Sequence, residues 1–425
     1  MRTIALSATL KKAKPILQAL SDAGYEAVFV GGAVRDSVLG LPIKDVDIAT
    51  SATPEQVVNL FPKCIPTGLQ HGTVTVLHGG ESYEVTTYRK ESAYEGHRRP
   101  EAVQYITELN EDMQRRDFTI NAMALTADGE LIDYFDGYHD ICNGVLRCVG
   151  DANARFQEDA LRMLRAVRFI AVYEYRPTYT TWKALVRHRK LMQHIAMERV
   201  QAELDKIVAA SMPERALRWL SGSGLLQDLK EPLPLPDEII TSQSGSQLCW
   251  RQYRDRFKGL HSLTDVDLRW GAVCMELGLA QEAAQGAMKR LRFSNERKAR
   301  ITELLQINAE LAVTNQDKLR EKCIMLLVQY GKVRVQEWAR AKSANLLNTK
   351  ELDQIQEYAR VWETVPITTL KELNVNGREL IKHLNRSSDP WVSKLLYRLL
   401  YAVAAGELGN EREELLEQAR IWSEK

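Results

Sequence analysis

Apolar positions recur at two different periods along this chain. Over the first 150 residues they fall in short β-rich runs with a period near two, at 27–30, 45–49, 73–77, 83–88 and 103–106, bounded by turn residues. His78-Gly79-Gly80-Glu81 joins two of these runs and predicts a hairpin turn. A helical stretch over 12–23, closing at Gly24, leads into the first strand. From residue 151 onward the period is helical almost without interruption. One continuous amphipathic helix is predicted over 152–173, another over 197–210, and a third begins at 215–220. The Pro-rich stretch 231–236 and the polar stretch 241–246 read as linker. Helices return at 280–291, 294–314, 317–330, 333–343 and 349–364, with a last pair at 377–385 and 390–406 and a charged segment at 410–424. The expected fold class is an α+β head with a small mixed or antiparallel sheet, residues 1–150, followed by an all-α neck (151–230), body (231–365) and tail (366–425).

Composition agrees with a boundary near 150. Thirteen of the 24 glycines lie at or before Gly150, and all eight tryptophans lie after it. At 425 residues, 45% hydrophobic and 27% charged, the chain is an ordinary multidomain globular protein. No apolar run approaches the ~20 residues of a membrane span, and the N-terminus lacks a secretory pattern, so no membrane association and a cytoplasmic location are expected. Cys64, Cys142, Cys148, Cys249, Cys274 and Cys323 show no C-x-x-C spacing, which speaks against a zinc site or a disulfide framework. A net charge of +1 neither demands nor excludes a nucleic-acid partner, since a polyanion needs a basic face and not a basic total. No protein partner is indicated.

Three constellations carry chemistry. In the first, the run Val28-Phe29-Val30 reaches Gly31-Gly32, continues through Arg35-Asp36, and returns as Lys44-Asp45-Val46-Asp47-Ile48. Alternation along a strand points Asp45 and Asp47 to one side and Val46 and Ile48 to the other. Two adjacent carboxylates repel unless cations sit between them, and Mg²⁺ favours one or two carboxylates with phosphate oxygens and water. The pair reads as a platform for a metal-bound nucleoside triphosphate, with the Gly-Gly turn admitting phosphates close to the backbone. The second is Arg115-Arg116-Asp117-Phe118-Thr119-Ile120-Asn121-Ala122, an arginine pair anchored by an apolar run and suited to holding a guanidinium towards phosphates. The third is Glu158-Asp159-Ala160-Leu161-Arg162, continuing to Arg165 and Arg168. On a continuous helix Glu158, Arg162 and Arg165 share a face, with Asp159 and Arg168 flanking it. Each constellation also has a plain structural account: a chance DxD, a surface arginine pair with Asp117 as a local cap, and a solvated face held by i,i+4 pairs.

Taken together, GGAVRD…DVDIAT, RRDFTINA and EDxxR resemble the class II tRNA nucleotidyltransferases, the CCA-adding enzymes of the polymerase-β-type superfamily. The resemblance is strong over residues 13–230 and weaker beyond. It implies a nucleotidyltransferase head with Asp45 and Asp47 as catalytic ligands of Mg²⁺, and Gly32, Arg35 and Arg116 holding the incoming nucleotide. Asp117 and Asn121 then fix the local backbone. It further implies that Asp159 and Arg162 select the base while Arg165 and Arg168 support ribose and phosphates. Cytosine and adenine both present an amino donor beside a ring-nitrogen acceptor, which a carboxylate and a guanidinium complement; uracil and guanine present the reverse, so like faces like. The implied activity is template-independent addition of C, C and A to the tRNA 3′ end from CTP and ATP, with the helical tail gripping the acceptor and T arms. CC-only addition and poly(A) synthesis share these motifs, and a non-catalytic RNA-binding protein is a remoter alternative.

Four other features stay open on residues alone. Residues 88–100 occupy the place of a mobile loop in the family. Glu84 could supply a third carboxylate or be an edge-strand charge. The basic run 289–292 and 297–300 suits phosphate contacts or a solvated helix face equally. His139-Asp140 lacks the context of a metal-phosphohydrolase motif.

Overall fold

The computed structural model describes residues 2–68, 72–91, 94–95, 99–100, 103–235, 257–312, 318–344, 349–387 and 389–423. They form two compact units, one running to Leu233 and the other holding the C-terminal helices.

The first unit is built on a mixed sheet. Among the described residues its strand order is Arg2–Thr3, Glu130–Asp133, Met123–Leu125, Ala27–Val30, Asp47–Thr50, Glu81–Thr87, Thr73–His78 and Cys64–Gly68. All neighbours are antiparallel except Asp47–Thr50 with Glu81–Thr87, which are parallel and pair Asp47 with Glu84. The carboxylate-bearing strand is thus central, and its backbone is locked on both edges. Val28, Val30, Ala49 and Ala124 pack one face of the sheet against Tyr88, Leu109 and Met113. The helix Ala8–Asp22 starts at Ser7, whose side chain accepts from the Leu10 N–H, and closes on Gly24 at φ +86°. Gly79 and Gly80, both at positive φ, make the expected hairpin turn, with His78 paired to Glu81.

Several sequence expectations shift. The strand predicted at 45–49 begins at Asp47, so Asp45 lies two residues before it, outside the strand. The run predicted at 103–106 pairs with Arg89–Glu91 outside the main sheet. The strands Cys64–Gly68, Met123–Leu125 and Glu130–Asp133 went unread. Most consequential is a break in the helix predicted over 152–173. It ends at Glu158 and restarts at Leu161. Asp159 is extended there, at φ −136° and ψ 105°, and its carboxylate accepts from the Leu161 N–H at 3.0 Å. A short acidic side chain offers the backbone this alternative to the next helical hydrogen bond. Among the residues of the family's mobile loop, 92–93 and 96–98 lie outside the described residues, as do most of the linker stretches and Cys249.

Helices complete this unit over Tyr179–His188, Met197–Val208 and Pro213–Ser223. Asp140 of the His-Asp dipeptide is a buried bracket: it accepts from the Thr119 hydroxyl at 2.7 Å and pairs with Arg147 at 3.0 Å. Among its described residues the second unit holds helices joined by turns and coil, and no strand. Gly331, at φ +79°, divides Leu319–Ser343 into the two expected segments. Asn376 and Glu379 form a capping box at the start of Gly377–Leu384. A Cβ on Gly377 would stand 3.0 Å from Val392, so a glycine lets this helix start close to Trp391–Ala405. Among the described residues no helix is long and apolar enough to cross a membrane.

Candidate active site

A cleft of about 1130 Å³ opens in the first unit. Gly31, Gly32, Arg35, Asp45, Asp47, Arg116, Asp159, Arg162, Arg165 and Arg168 all line it, so residues from all three constellations reach one space, while Glu84 and Glu158 are not among its lining. Its described lining holds nine basic side chains (Arg35, Lys44, Arg115, Arg116, Arg162, Arg165, Arg168, Arg199, Lys206) against five acidic ones. That excess, in walls of low polarisability, favours a polyanionic ligand.

The floor is the end of strand Ala27–Val30 and the turn beyond it. Gly31 adopts φ +68°, ψ −131°, a conformation essentially restricted to glycine. A Cβ there would stand 3.4 Å from both Asp47 Oδ2 and Arg116 Nη1. The conformational demand therefore falls on Gly31, while Gly32 opens the helix Gly32–Leu39 and lies close to the Arg35 guanidinium. The first N–H groups of such a helix lack intrahelical acceptors and suit a phosphate.

Asp45 is exposed and Asp47 half-buried on this floor, while Val46 and Ile48 are buried. Burial pushes the Asp47 carboxyl up, Glu84 and Asp45 add to the rise, and Arg116 opposes it. A bound cation would relieve that excess negative potential. Glu84 thus acts on Asp47 through its field. Among the described residues, no three His, Cys, Asp or Glu side chains group closely enough to hold a metal ion. A site of two carboxylates completed by phosphate oxygens fits this arrangement.

The guanidiniums are held by a relay of buried partners. Arg35 Nη1 donates to Asn121 Oδ1 at 2.6 Å, Asn121 Nδ2 donates to Asp117 Oδ1 at 2.9 Å, and Arg165 Nε donates to Asp117 Oδ2 at 2.7 Å. Asp117 also accepts from the Phe118 N–H at 2.8 Å. Burial alone would raise the Asp117 carboxyl, but Arg165, Asn121 and Arg162 overcome it and hold the group well below the usual carboxylate range. Arg35 is packed over Tyr173, and Arg168 over Phe169. Asp112, buried beneath the arginine pair, accepts from Arg115 at 2.7 Å and Arg116 at 3.1 Å. Arg116 Nε is buried without a hydrogen-bond partner among the described residues, whereas Arg168 Nε lies 3.3 Å from the Glu203 carboxylate. Burial, aided by Arg165 and Arg35, lowers the pKa of Arg168 against the pull of Glu203. The unfilled donor of Arg116, on a residue lining a cationic cleft, suits a phosphate oxygen.

The far wall is the helix break. Arg162 Nη1 donates to Glu158 at 2.7 Å and Nη2 to the Arg115 carbonyl at 2.8 Å, which fixes the guanidinium. Asp159 does not share Glu158's partner. It is bonded instead by Arg199 of helix Met197–Val208, at 2.8 Å. The shared helical face expected for Glu158, Arg162 and Arg165 is therefore replaced by a junction of two helices, with Asp159 at the corner. Arg199, Asp112 and Tyr173 are site residues that the sequence reading missed. Asp112 had a signal, standing three and four residues before Arg115 and Arg116; Arg199 had none.

Asp117→Asn is expected to destabilise the protein by about 2 kcal/mol at neutral pH, through loss of the charged partner of Arg165. Because the native pKa lies below the ordinary value, the stabilisation is complete above that ordinary value. It drains away as the pH falls through the native one. Denaturant titrations of both proteins should show the gap at pH 7 and its narrowing below pH ~4. A constant gap would show that the charge is not its source.

The described fold and the cleft define a nucleotidyltransferase. A family model of the poly(A) polymerase head domain matches residues 27–147. A model described as a probable RNA- and SrmB-binding site of polymerase A matches 175–233, and one for a putative tRNA nucleotidyltransferase domain 2 matches 261–419. The chain is 36% identical over 414 residues to the CCA-adding enzyme of Bacillus velezensis, covering 97% of this chain and 98% of that one. It is 38% identical over 411 residues to the CCA-adding enzyme of a Geobacillus strain, covering 96% of each. The crystal structure of the Bacillus stearothermophilus CCA-adding enzyme in complex with CTP superposes with a TM-score of 0.84 at 32% identity, covering 99% of this chain and 98% of that one. The chain belongs to the CCA-adding enzyme family.

Proposed function

We propose that this protein adds C, C and A to the 3′ end of tRNA from CTP and ATP without a nucleic-acid template, in the cytoplasm. A bond forms between the tRNA 3′-oxygen and the α-phosphorus, the bond from that phosphorus to the bridging oxygen breaks, and pyrophosphate leaves. In a two-metal transfer, one Mg²⁺ held by Asp45 and Asp47 would polarise the attacking hydroxyl, and a second would steady the triphosphate and the departing pyrophosphate. The Gly31-Gly32 turn admits the triphosphate to the backbone, and Arg35, Arg116, Arg165 and Arg168 oppose its charge. Asp159 accepts from the base amino group, and Arg162 donates to the adjacent ring nitrogen. A carboxylate has about four acceptor sites, and the bonds from Leu161 and Arg199 leave room for one more on Asp159. The helices beyond the first unit hold the acceptor and T arms of tRNA through its shape and backbone.

The observation that supports this reading is the convergence of the acidic pair and the Asp159-Arg162 corner on one cationic cleft. The test supplies Mg²⁺, tRNA ending at its discriminator base, and CTP, ATP or both, and reads product length. Extension by three with both nucleotides is expected. No extension under any mixture would sink the reading, extension by two would assign CC addition, and long A tails would assign poly(A) synthesis.

A further inference from the structure

The basic clusters at 289–292 and 297–300 are divided by the fold of the second unit. Arg297 turns onto Asp267 at 2.6 Å, and Arg300 onto Asp265 at 2.7 Å and Glu337 at 2.5 Å. These two guanidiniums are internal structure. Lys289 and Lys298 are different. Neither ammonium has a partner among the described residues, and both line an open pocket of about 420 Å³ formed by helices Gln281–Arg290 and Asn295–Ala312.

The rest of the pocket wall adds two donors, Thr302 and Gln306, and one acid, Glu303. Thr302 is 5% exposed, and its hydroxyl has no hydrogen-bond partner among the described residues. A helical threonine ordinarily satisfies that group on the carbonyl one turn back, and leaving it buried and unmade is unfavourable. Gln306 has its carbonyl oxygen occupied by the Tyr330 hydroxyl at 3.2 Å, leaving its amide N–H groups to donate. Glu303, the acid on this wall, is neutralised by Arg334 at 2.6 Å. Two unpaired ammonium groups, a buried orphan hydroxyl and an amide around a pocket whose carboxylate is already paired match an anion with several acceptor oxygens. Among the described residues, no aromatic side chain lines the pocket to stack on a base.

We infer that this pocket binds a phosphodiester of the tRNA backbone, an inference that rests on the function proposed above. The contact positions the RNA and carries no sequence information.

The experiment measures tRNA affinity against salt for the full-length protein, the double variant Lys289→Ala/Lys298→Ala, and Thr302→Val. The double variant is expected to bind tRNA at least about tenfold more weakly. Its slope of log affinity against log salt should be shallower by about one. It should still extend tRNA at saturating RNA, because the cleft is untouched. Thr302→Val is expected to raise the thermal midpoint of the free protein, since it removes an unsatisfied hydroxyl, and yet to weaken tRNA binding. A purely structural threonine would not produce that opposition. If the unsubstituted protein extends no tRNA, the proposed function fails. If it extends tRNA while the variants keep its affinity and salt slope, the pocket inference is overturned. A double variant that loses thermal stabilisation by inorganic phosphate but keeps full tRNA affinity would also overturn it, in favour of a free anion.

Discussion

Asp47→Asn is expected to lower nucleotide incorporation by at least ~10³-fold, to leave tRNA affinity unchanged, and to raise the thermal midpoint of the metal-free protein. The first effect follows from the proposed role of the carboxylate. Charge stabilisation by a catalytic cation is worth several kcal/mol, and each 1.36 kcal/mol is about tenfold in rate. The third effect follows from position. Asp47 is half-buried at the end of a central strand, pushed up by burial and by the fields of Glu84 and Asp45. An ionised group under that pressure destabilises the fold until a cation answers it, and an amide of the same shape does not. Gain of stability with loss of activity is a pattern expected of residues kept for function. Single-turnover incorporation, tRNA titration and thermal melts with and without Mg²⁺ check all three parts. A variant that melts lower than the parent in the absence of metal would show that Asp47 is structural; retained incorporation would remove it from the reaction.

Asp159→Ala is expected to reduce the preference for CTP over UTP by about 100-fold, with tRNA affinity nearly intact. A mispaired buried polar group costs about 1–3 kcal/mol, and the carboxylate sets its lone pairs against the carbonyl of uracil. The helix break adds a condition. Asp159 also caps Leu161 and pairs with Arg199, so its loss frees a guanidinium beside the base position. Arg199→Ala serves as the separating control: it frees Asp159 without removing the acceptor. If the two variants lose base choice equally, orientation of the carboxylate matters as much as its charge. If neither changes the ratio of CTP to UTP incorporation, base choice lies elsewhere.

Local chemistry was legible wherever it depended on neighbours in the chain. Gly31-Gly32 before Arg35, the alternation around Val46, and the helix stop at Gly24 all follow from backbone rules acting over a few residues. The doubly glycine hairpin at 79–80 belongs with them. The break at Asp159 was hidden because its residues satisfy a helical pattern on both sides, and only the carboxylate's bond to Leu161 shows what competes with it. Arg199 was hidden for a different reason. Its partner lies 40 residues away in sequence, and an arginine on an amphipathic helix looks alike whether it faces water or a carboxylate. Asp117 carried a local reading, a cap for its own backbone, and the Phe118 N–H bond agrees with it. Its larger part, joining Arg35 to Arg165 through Asn121, requires three elements to meet and has no signature in any one of them. The strand Cys64–Gly68 was lost because Pro66 interrupts its run, which edge strands tolerate.

The strand order has a consequence for synthesis. Ala27–Val30 pairs with Asp47–Thr50 on one edge but waits for Met123–Leu125 on the other, and Arg2–Thr3 waits for Glu130–Asp133. A chain emerging from the ribosome therefore carries Val28-Phe29-Val30 with one unpaired edge until those later strands have been made. Unpaired apolar edges of this kind are where nascent chains associate wrongly. In the C-terminal unit, Leu319–Ser343 packs on the helix before it and the helix after it, and also on Val266–Glu276 and Trp391–Ala405. A translational pause between residues 50 and 120 thus prolongs exposure of a sticky edge.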